Sequence, residues 1–298
     1  MTAERQKARR SPTKAQKFSV NDEELRLIDL ALAEDIGSGD WTTRWVVPAH
    51  KRGNAQVVAK ADGVVFGLAI AAAVFMRLDA RTELRTDLVD GAAVREGDVV
   101  CTIKGSARTI LTGERTALNF MQRLSGIATM TRRFVDAVAG TDAKILDTRK
   151  TTPGWRHLEK AAVKAGGGEN HRFGLFDMVL IKENHIEIAG GVAEAIKAVR
   201  DSNTKGLRVE VEVRNKDELR AAAEADCDII LLDNMDVQAI RESVRVIKQR
   251  APHIKTEASG NMTLERVRAV AETGVDYISV GALTHSVRAL DLSLLMET

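Results

Sequence analysis

The sequence predicts an α/β protein in which a parallel barrel follows a smaller α/β region, and three observations carry that prediction. From Ala143 onward six apolar, β-like segments alternate with helical patterns, which is the rhythm of successive strand–helix units. Ahead of them lie short β-like runs broken by Asp-Gly and Glu-Gly turns, with one apolar helix among them. No Gly-rich dinucleotide fingerprint and no P-loop accompanies the alternation, so an open doubly wound sheet has less support than a barrel.

Composition bounds the reading. The 298 residues, 44% of them hydrophobic, suffice for one large core or two ordinary domains. With 44 Lys+Arg against 42 Asp+Glu, a net charge of +2 gives no general attraction for nucleic acid or membrane, so any affinity for anions is local. Cys101 and Cys227 sit apart in apolar runs and read as buried free thiols, in keeping with a reducing cytoplasmic compartment. No apolar run approaches the roughly 20 residues of a membrane helix. Residues 1–17 carry six Lys/Arg against one acid and read as a disordered basic tail.

The elements follow in order. "NDEELRLIDLALAED" repeats leucines at helical spacing behind an Asn21 or Asp22 cap, and "GSGDWTT" ends that helix. Between Asn54 and Leu111 the pattern is β-like, in "AQVVAKADGVVFG", "ELRTDLV" and "DVVCTIKGSARTIL", interrupted by the helix "LAIAAAVFMRLD". A long helix is expected over Gly113–Val138. The six later strands are "AKILDT", "MVLIK", "LRVEVEV", "DIILLD", "IKTEAS" and "DYISVG".

In a barrel the strands' carboxyl ends build the site, and here those ends are polar. Arg149 and Lys150 directly follow an apolar strand and suggest an anion site, although either cation alone suits a surface. In "RVEVEVR" the alternation puts Val209, Val211 and Val213 on one face and Arg208, Glu210, Glu212 and Arg214 on the other. An edge strand accounts for that face, but on a closed barrel it looks into the lumen, where carboxylates need cations or a metal. Asp233 either caps the next helix or points into the same mouth. The six histidines show no metal-ligand spacing, which argues against a zinc site. His171 and Arg172, behind Gly166, Gly167 and Gly168, read as a cationic clamp; the glycines either end a helix or form an anion-binding concavity. Arg149, Lys150, His171, Arg172 and Lys182 thus oppose Glu212 and Asp233, and a polyanionic substrate with a divalent metal suits both signs.

Taken at length, "LDTRKTTPGWRHLEKAAVKAGGGENHRFGLFDMVLIKENH", with "ERTALNFMQRLSGIAT" before it and "LLDNMD" and "EASGNMTLERVRAVAETGVDYISVGALTHS" after it, resembles the quinolinate phosphoribosyltransferases. "LAEDIGSGDWTT" extends the resemblance toward the N-terminus. Trp155 and Ala162 depart from the family pattern at packing positions. The resemblance implies an N-terminal α/β sandwich domain (18–125), then an irregular open α/β barrel of the type II phosphoribosyltransferase kind (126–286) with about seven strands. A C-terminal segment (287–298) is expected to pack back on the first domain.

The same resemblance implies transfer of the phosphoribosyl group of 5-phosphoribosyl 1-diphosphate to quinolinate, with magnesium and loss of carbon dioxide. It also implies a homodimer or a hexamer whose active sites are shared between subunits. Arg149, His171 and Arg172, with the partner subunit's Arg115, would hold the quinolinate carboxylates. Lys150 and Lys182, beside Thr148, would serve the phosphate-rich substrate, and Glu212 and Asp233 the ribose hydroxyls and the metal. Ser259, Gly260, Asn261 and Gly281 would bind the 5-phosphate. Lys150, Lys182, Glu212 and Asp233 are the residues expected to act in catalysis.

Overall fold

A computed structural model describes residues 18–297; the basic tail at 1–17 lies outside them. The chain divides into two compact units, one of residues up to Thr129 together with Val287 onward, the other Met130–Ser286.

The first unit opens with α1 (Asp22–Ile36), started by a capping box in which Asn21 and Glu24 satisfy each other's backbone N–H groups. A short helix not expected from sequence, α2 (Trp41–Val46), follows behind an Asp40 cap whose side chain accepts from Thr43 N–H. The strands β1 (Arg52–Ala59), β2 (Gly63–Val64), β3 (Glu83–Arg85), β4 (Ala93–Val94) and β5 (Val99–Ser106) surround α3 (Leu68–Leu78), whose Leu68 and Ile70 to Phe75 are buried. The long helix α4 (Ala107–Ala137) begins earlier than periodicity suggested. The "ARTIL" run read as strand is its first turn, because its apolar residues also fit a helical face. The unit's main sheet has the order β12-β1-β5-β3, where β12 (Leu292–Glu297) runs antiparallel to β1 from Ala59↔Leu292 to Asn54↔Glu297. The chain approaches α4 closely there: a Cβ on Gly126 would lie 2.4 Å from the Arg288 carbonyl oxygen.

The second unit alternates strand and helix: β6 (Lys144–Leu146), α5 (Arg156–Ala165), β7 (Val179–Ile181), α6 (Glu183–Ala189), α7 (Val192–Ser202), β8 (Val209–Val213), α8 (Lys216–Glu224), β9 (Ile229–Asp233), α9 (Val237–Arg250), β10 (Lys255–Ser259), α10 (Leu264–Ala271), β11 (Tyr277–Ser279) and α11 (Ala282–His285). All six expected strands form, and they pair in parallel in the order β6-β11-β10-β9-β8-β7. The wall is irregular between its two ends. In place of a seventh strand, a single parallel bridge joins Glu169 to Leu146, with Glu169 N–H donating to the Ile145 carbonyl at 2.8 Å. Val209, Val211, Val213, Ile230, Leu232 and Ala258 are fully buried, so the strands' apolar residues face packed helices and their polar residues the lumen.

The three glycines ahead of Glu169 have separate causes. Gly166 ends α5 with its N–H bonded to the Ala162 carbonyl. Gly167 has φ +94, a left-handed conformation that side chains resist. A Cβ on Gly168 would meet Thr131 Cγ2 at 2.8 Å and Val163 Cγ1 at 2.9 Å. Helix termination and close packing therefore account for the run, which feeds the bridge strand at Glu169.

Candidate active site

The parallel strands deliver their last residues to one end of the barrel unit. Alternation in β8 sends Glu210 and Glu212 inward; Glu210 is buried and Glu212, nearer the rim, half-buried. Below the rim, His171, Glu210 and Glu257 converge, with ligand-capable atoms all within 4.8 Å of one another. His171 Nδ1 accepts the Arg172 N–H at 2.8 Å, so the neutral ring carries its proton on Nε2. That nitrogen lies 3.0 Å from Glu210 Oε2 and 3.5 Å from Glu257 Oε2, without the alignment of a hydrogen bond.

Both Glu210 oxygens and Glu257 Oε2 are consequently buried without a donor, while Ser279 Oγ donates to Glu257 Oε1. Burial, and then the neighbouring Glu210 charge, push Glu257 up to about 8. Burial likewise raises Glu210 to about 7, against the opposing hydrogen bond from Glu257. A proton on Glu257 supplies the donor that Glu210 otherwise lacks. Burial lowers the basicity of His171, whose ring is therefore not the free cation expected from its neighbours in sequence.

The cations sit around this buried group. Arg172 donates to the Met178 carbonyl at 3.2 Å and is held below the usual guanidinium range first by burial and then by the like charge of Arg149. Arg149 Nε is buried without a hydrogen-bond partner. Lys150 is exposed, with Cδ 3.2 Å from the point where a Cβ on Gly281 would lie, and its backbone N–H donates to Thr148 Oγ1. Lys182 is exposed after β7. Burial raises Glu212, as does the charge of Asp233, while Lys182 opposes both. Asp233, last in β9, pairs in register with Ser259 and accepts from the Asn234 amide rather than capping α9, whose cap is Asp236.

At the ends of β9 and β10, Asn234, Gly260 and Asn261 all have positive φ, and a Cβ on Gly260 would strike the Asn234 side chain at 2.2 Å. Arg266 binds these two loops together, donating to the carbonyls of Met235, Gly260 and Asn261. Arg115 lies in the other unit, exposed on α4.

Sequence reasoning assigned no individual role to Glu210, Glu257, Ser279, Asp147, Lys160, Arg156 or Arg266. Glu210, Glu257, Ser279 and Asp147 left a signal only as members of polar strand ends. Lys160, Arg156 and Arg266 lie in helices, and only folding brings them to the loops they bind.

A barrel that gathers arginines and lysines beside carboxylates at its strand ends belongs to the enzymes that handle polyanionic substrates. A family model described as quinolinate phosphoribosyl transferase, C-terminal domain, matches residues 127–295, and the corresponding N-terminal domain matches 40–125. The chain belongs to the quinolinate phosphoribosyltransferase family. It is 46% identical over 263 residues to the probable nicotinate-nucleotide pyrophosphorylase (carboxylating) of Synechocystis sp., covering 88% of this chain and 89% of that one. The Bacillus subtilis protein of the same description is 44% identical over 269 residues, covering 90% and 92%. Among solved structures, the nicotinate-nucleotide pyrophosphorylase of Francisella tularensis superposes with a TM-score of 0.89 at 40% identity, covering 96% of this chain and 100% of that one.

Proposed function

We propose that this chain transfers the phosphoribosyl group of 5-phosphoribosyl 1-diphosphate to the ring nitrogen of quinolinate, releasing diphosphate and carbon dioxide and forming nicotinate mononucleotide for NAD biosynthesis. The observation that carries this reading is the Arg149–Arg172 pair. Burial and then the like charge of Arg149 lower Arg172 at a half-buried barrel mouth, and a dicarboxylate neutralises both guanidinium groups through charge-assisted, bidentate hydrogen bonds.

Quinolinate binds against Arg149 and Arg172, with the His171 ring behind them fixed by its contacts to Glu210 and the Arg172 backbone. The partner subunit's Arg115 completes the clamp in a homodimer or larger assembly. Lys150 and Lys182 face the diphosphate and stabilise the negative charge that develops as the anomeric C–O bond lengthens. Ser259 with the backbones of Gly260, Asn261 and Gly281 holds the 5-phosphate, in loops where a side chain on Gly260 could not fit. The pyridine nitrogen, held in line, captures the oxocarbenium-like carbon. Its acquired positive charge then stabilises the electron pair that stays on the adjacent ring carbon when carbon dioxide departs, and that pair takes up a proton from solvent.

Magnesium fits the carboxylates present. Burial and then the charge of Asp233 raise Glu212, and a divalent cation relieves the repulsion between the two carboxylates. These two residues would hold it directly or through substrate and water, and when bound it supplies charge neutralisation for the diphosphate. No helix among the described residues is long and apolar enough to cross a membrane. The buried free thiols of Cys101 and Cys227 suit a reducing cytoplasm.

The test is an assay with quinolinate and 5-phosphoribosyl 1-diphosphate, in which one carbon dioxide is expected for each nucleotide formed. Nucleotide made from nicotinate alone, without carbon dioxide, would refute the assignment.

A further inference from the structure

Arg149 and the His171–Arg172 pair reach the barrel mouth on two separate loops, and one helix touches both. Arg156 and Lys160 stand four residues apart on α5 and so share a face. From Arg156, Nε donates to Thr151 Oγ1 at 3.0 Å and Nη2 to the Arg149 carbonyl at 3.4 Å, both in the first loop. Its Nη1 donates to the Phe173 carbonyl at 3.2 Å, in the second. Lys160 Nζ donates to Asp147 at the end of β6 and to the His171 carbonyl at 2.9 Å, and Asp147 Oδ1 in turn accepts the His171 N–H at 3.0 Å. With its amide nitrogen turned toward acceptors, Asn170 adds a bond to Asp147 Oδ2 at 2.7 Å.

These bonds go to the loops' backbone, a hydroxyl and a buried carboxylate, and engage neither the Arg149 nor the Arg172 guanidinium, of which Arg172 spends Nη1 on the Met178 carbonyl. Lys150 is secured from elsewhere: its carbonyl accepts from Thr284 Oγ1 at 2.8 Å, in α11. The loop that carries both cations is therefore tied to α5 at Arg149 and Thr151, while the Lys150 carbonyl between them is held by α11.

We propose that Arg156 is a positioning residue for quinolinate, holding the Arg149 and Arg172 loops in register so that two carboxylates are met at once. The proposal rests on the substrate assignment made above. Only a planar guanidinium reaches two loops at three acceptors; a lysine amine at the same place spans fewer of them. Loss of Arg156 removes its bonds to the Arg149 and Phe173 carbonyls that join the two arginine loops, whereas the Lys150 carbonyl keeps its bond from Thr284, so the larger effect falls on quinolinate.

The test measures KM for each substrate and kcat for wild type, Arg156→Met, Arg156→Lys and the exposed control Lys164→Met, with thermal midpoints for all four. Wild type is assayed first. Arg156→Met is expected to raise KM for quinolinate about tenfold or more, equivalent to roughly 1.4 kcal/mol. KM for 5-phosphoribosyl 1-diphosphate and kcat at saturation should stay within about threefold of wild type. Arg156→Lys should fall between wild type and Met, and Lys164→Met should match wild type.

Unchanged quinolinate KM, or equal rises in both KM values, overturns the proposal. If Arg156→Met does not fold, Arg156→Lys decides by the same criterion: a selective rise upholds the proposal, and no rise overturns it. A wild type that neither binds nor turns over quinolinate defeats the substrate assignment and this inference with it; an active wild type with unaffected variants defeats positioning alone.

Discussion

Replacing Glu257 with Gln should make the protein's stability less sensitive to pH between about 5.5 and 7.5. In the folded chain Glu257 is raised to about 8 from an ordinary 4.5 by burial and by Glu210. Between those values the folded state holds a proton that the unfolded state has lost, so stability declines as pH rises through the window and the full penalty is present above about 8. One retained proton corresponds to about 1.4 kcal/mol per pH unit, hence at most about 2.7 kcal/mol across two units. Coupling to Glu210, itself raised to about 7, divides that amount between the two carboxyls, so about 1–2.7 kcal/mol is expected. Asp147, raised to about 6 by burial, adds a slope of the same sign, and the lowered His171 one of opposite sign. Asp147 remains in the variant and its slope largely cancels in the comparison; His171 loses the Glu257 charge that raises it, so its own slope can only add to the variant's gain with pH. Urea unfolding of wild type and Glu257→Gln at pH 5.5, 6.5 and 7.5, at one subunit concentration, measures the difference. The variant should gain on wild type as pH rises, and wild type should lose an infrared band of a protonated carboxylic acid on substitution. Parallel stability curves within about 0.5 kcal/mol would show that Glu257 is ionised in the fold, and the account of the buried pair would be wrong.

Other substitutions test the loops and the assembly. Gly260→Ala meets both a φ of +98 and an Asn234 oxygen 2.2 Å from the new Cβ. Denaturant unfolding should show a loss of about 1–3 kcal/mol, with a raised KM for 5-phosphoribosyl 1-diphosphate. Gly168→Ala, crowded by Thr131 and Val163, should lose about 1–2 kcal/mol. Gly167→Ala, at φ +94 with its nearest neighbour 3.6 Å from the new Cβ, should lose about 1–2 kcal/mol from backbone strain alone; no loss there would contradict the backbone cause given for it. Arg115→Ala should be inactive alone and regain partial turnover in verified heterodimers with a Lys182→Ala subunit; no regain counts against a shared site. Chelation of divalent ions should abolish turnover and added magnesium restore it, whereas full activity in excess chelator would exclude the metal role given to Glu212 and Asp233.

Much of the fold was legible because its signals are local. The periodicity of "NDEELRLIDLALAED" and its Asn21–Glu24 box mark α1, and six apolar segments mark the six parallel strands, since a strand buried between helices reads as a short apolar run wherever it pairs. Local signals failed where context decides. "ARTIL" suits strand and helix alike, and "WTTRWV" is too short for a period to register. "LSLLME" becomes a strand only because β1 offers it an edge.

The site divides along the same line. By itself the sequence determined that cations and carboxylates close the strands, and through its long motifs it determined the family. Tertiary structure alone decided that His171 faces Glu210 and Glu257 and is not a free cation, because burial and proton affinity depend on neighbours brought from β8 and β10. It likewise decided that Arg156, which reads in the chain as one more helical surface charge, joins the two arginine-bearing loops. Hydrogen-bond partners are fixed by distance in space, and separation along the chain carries no record of it.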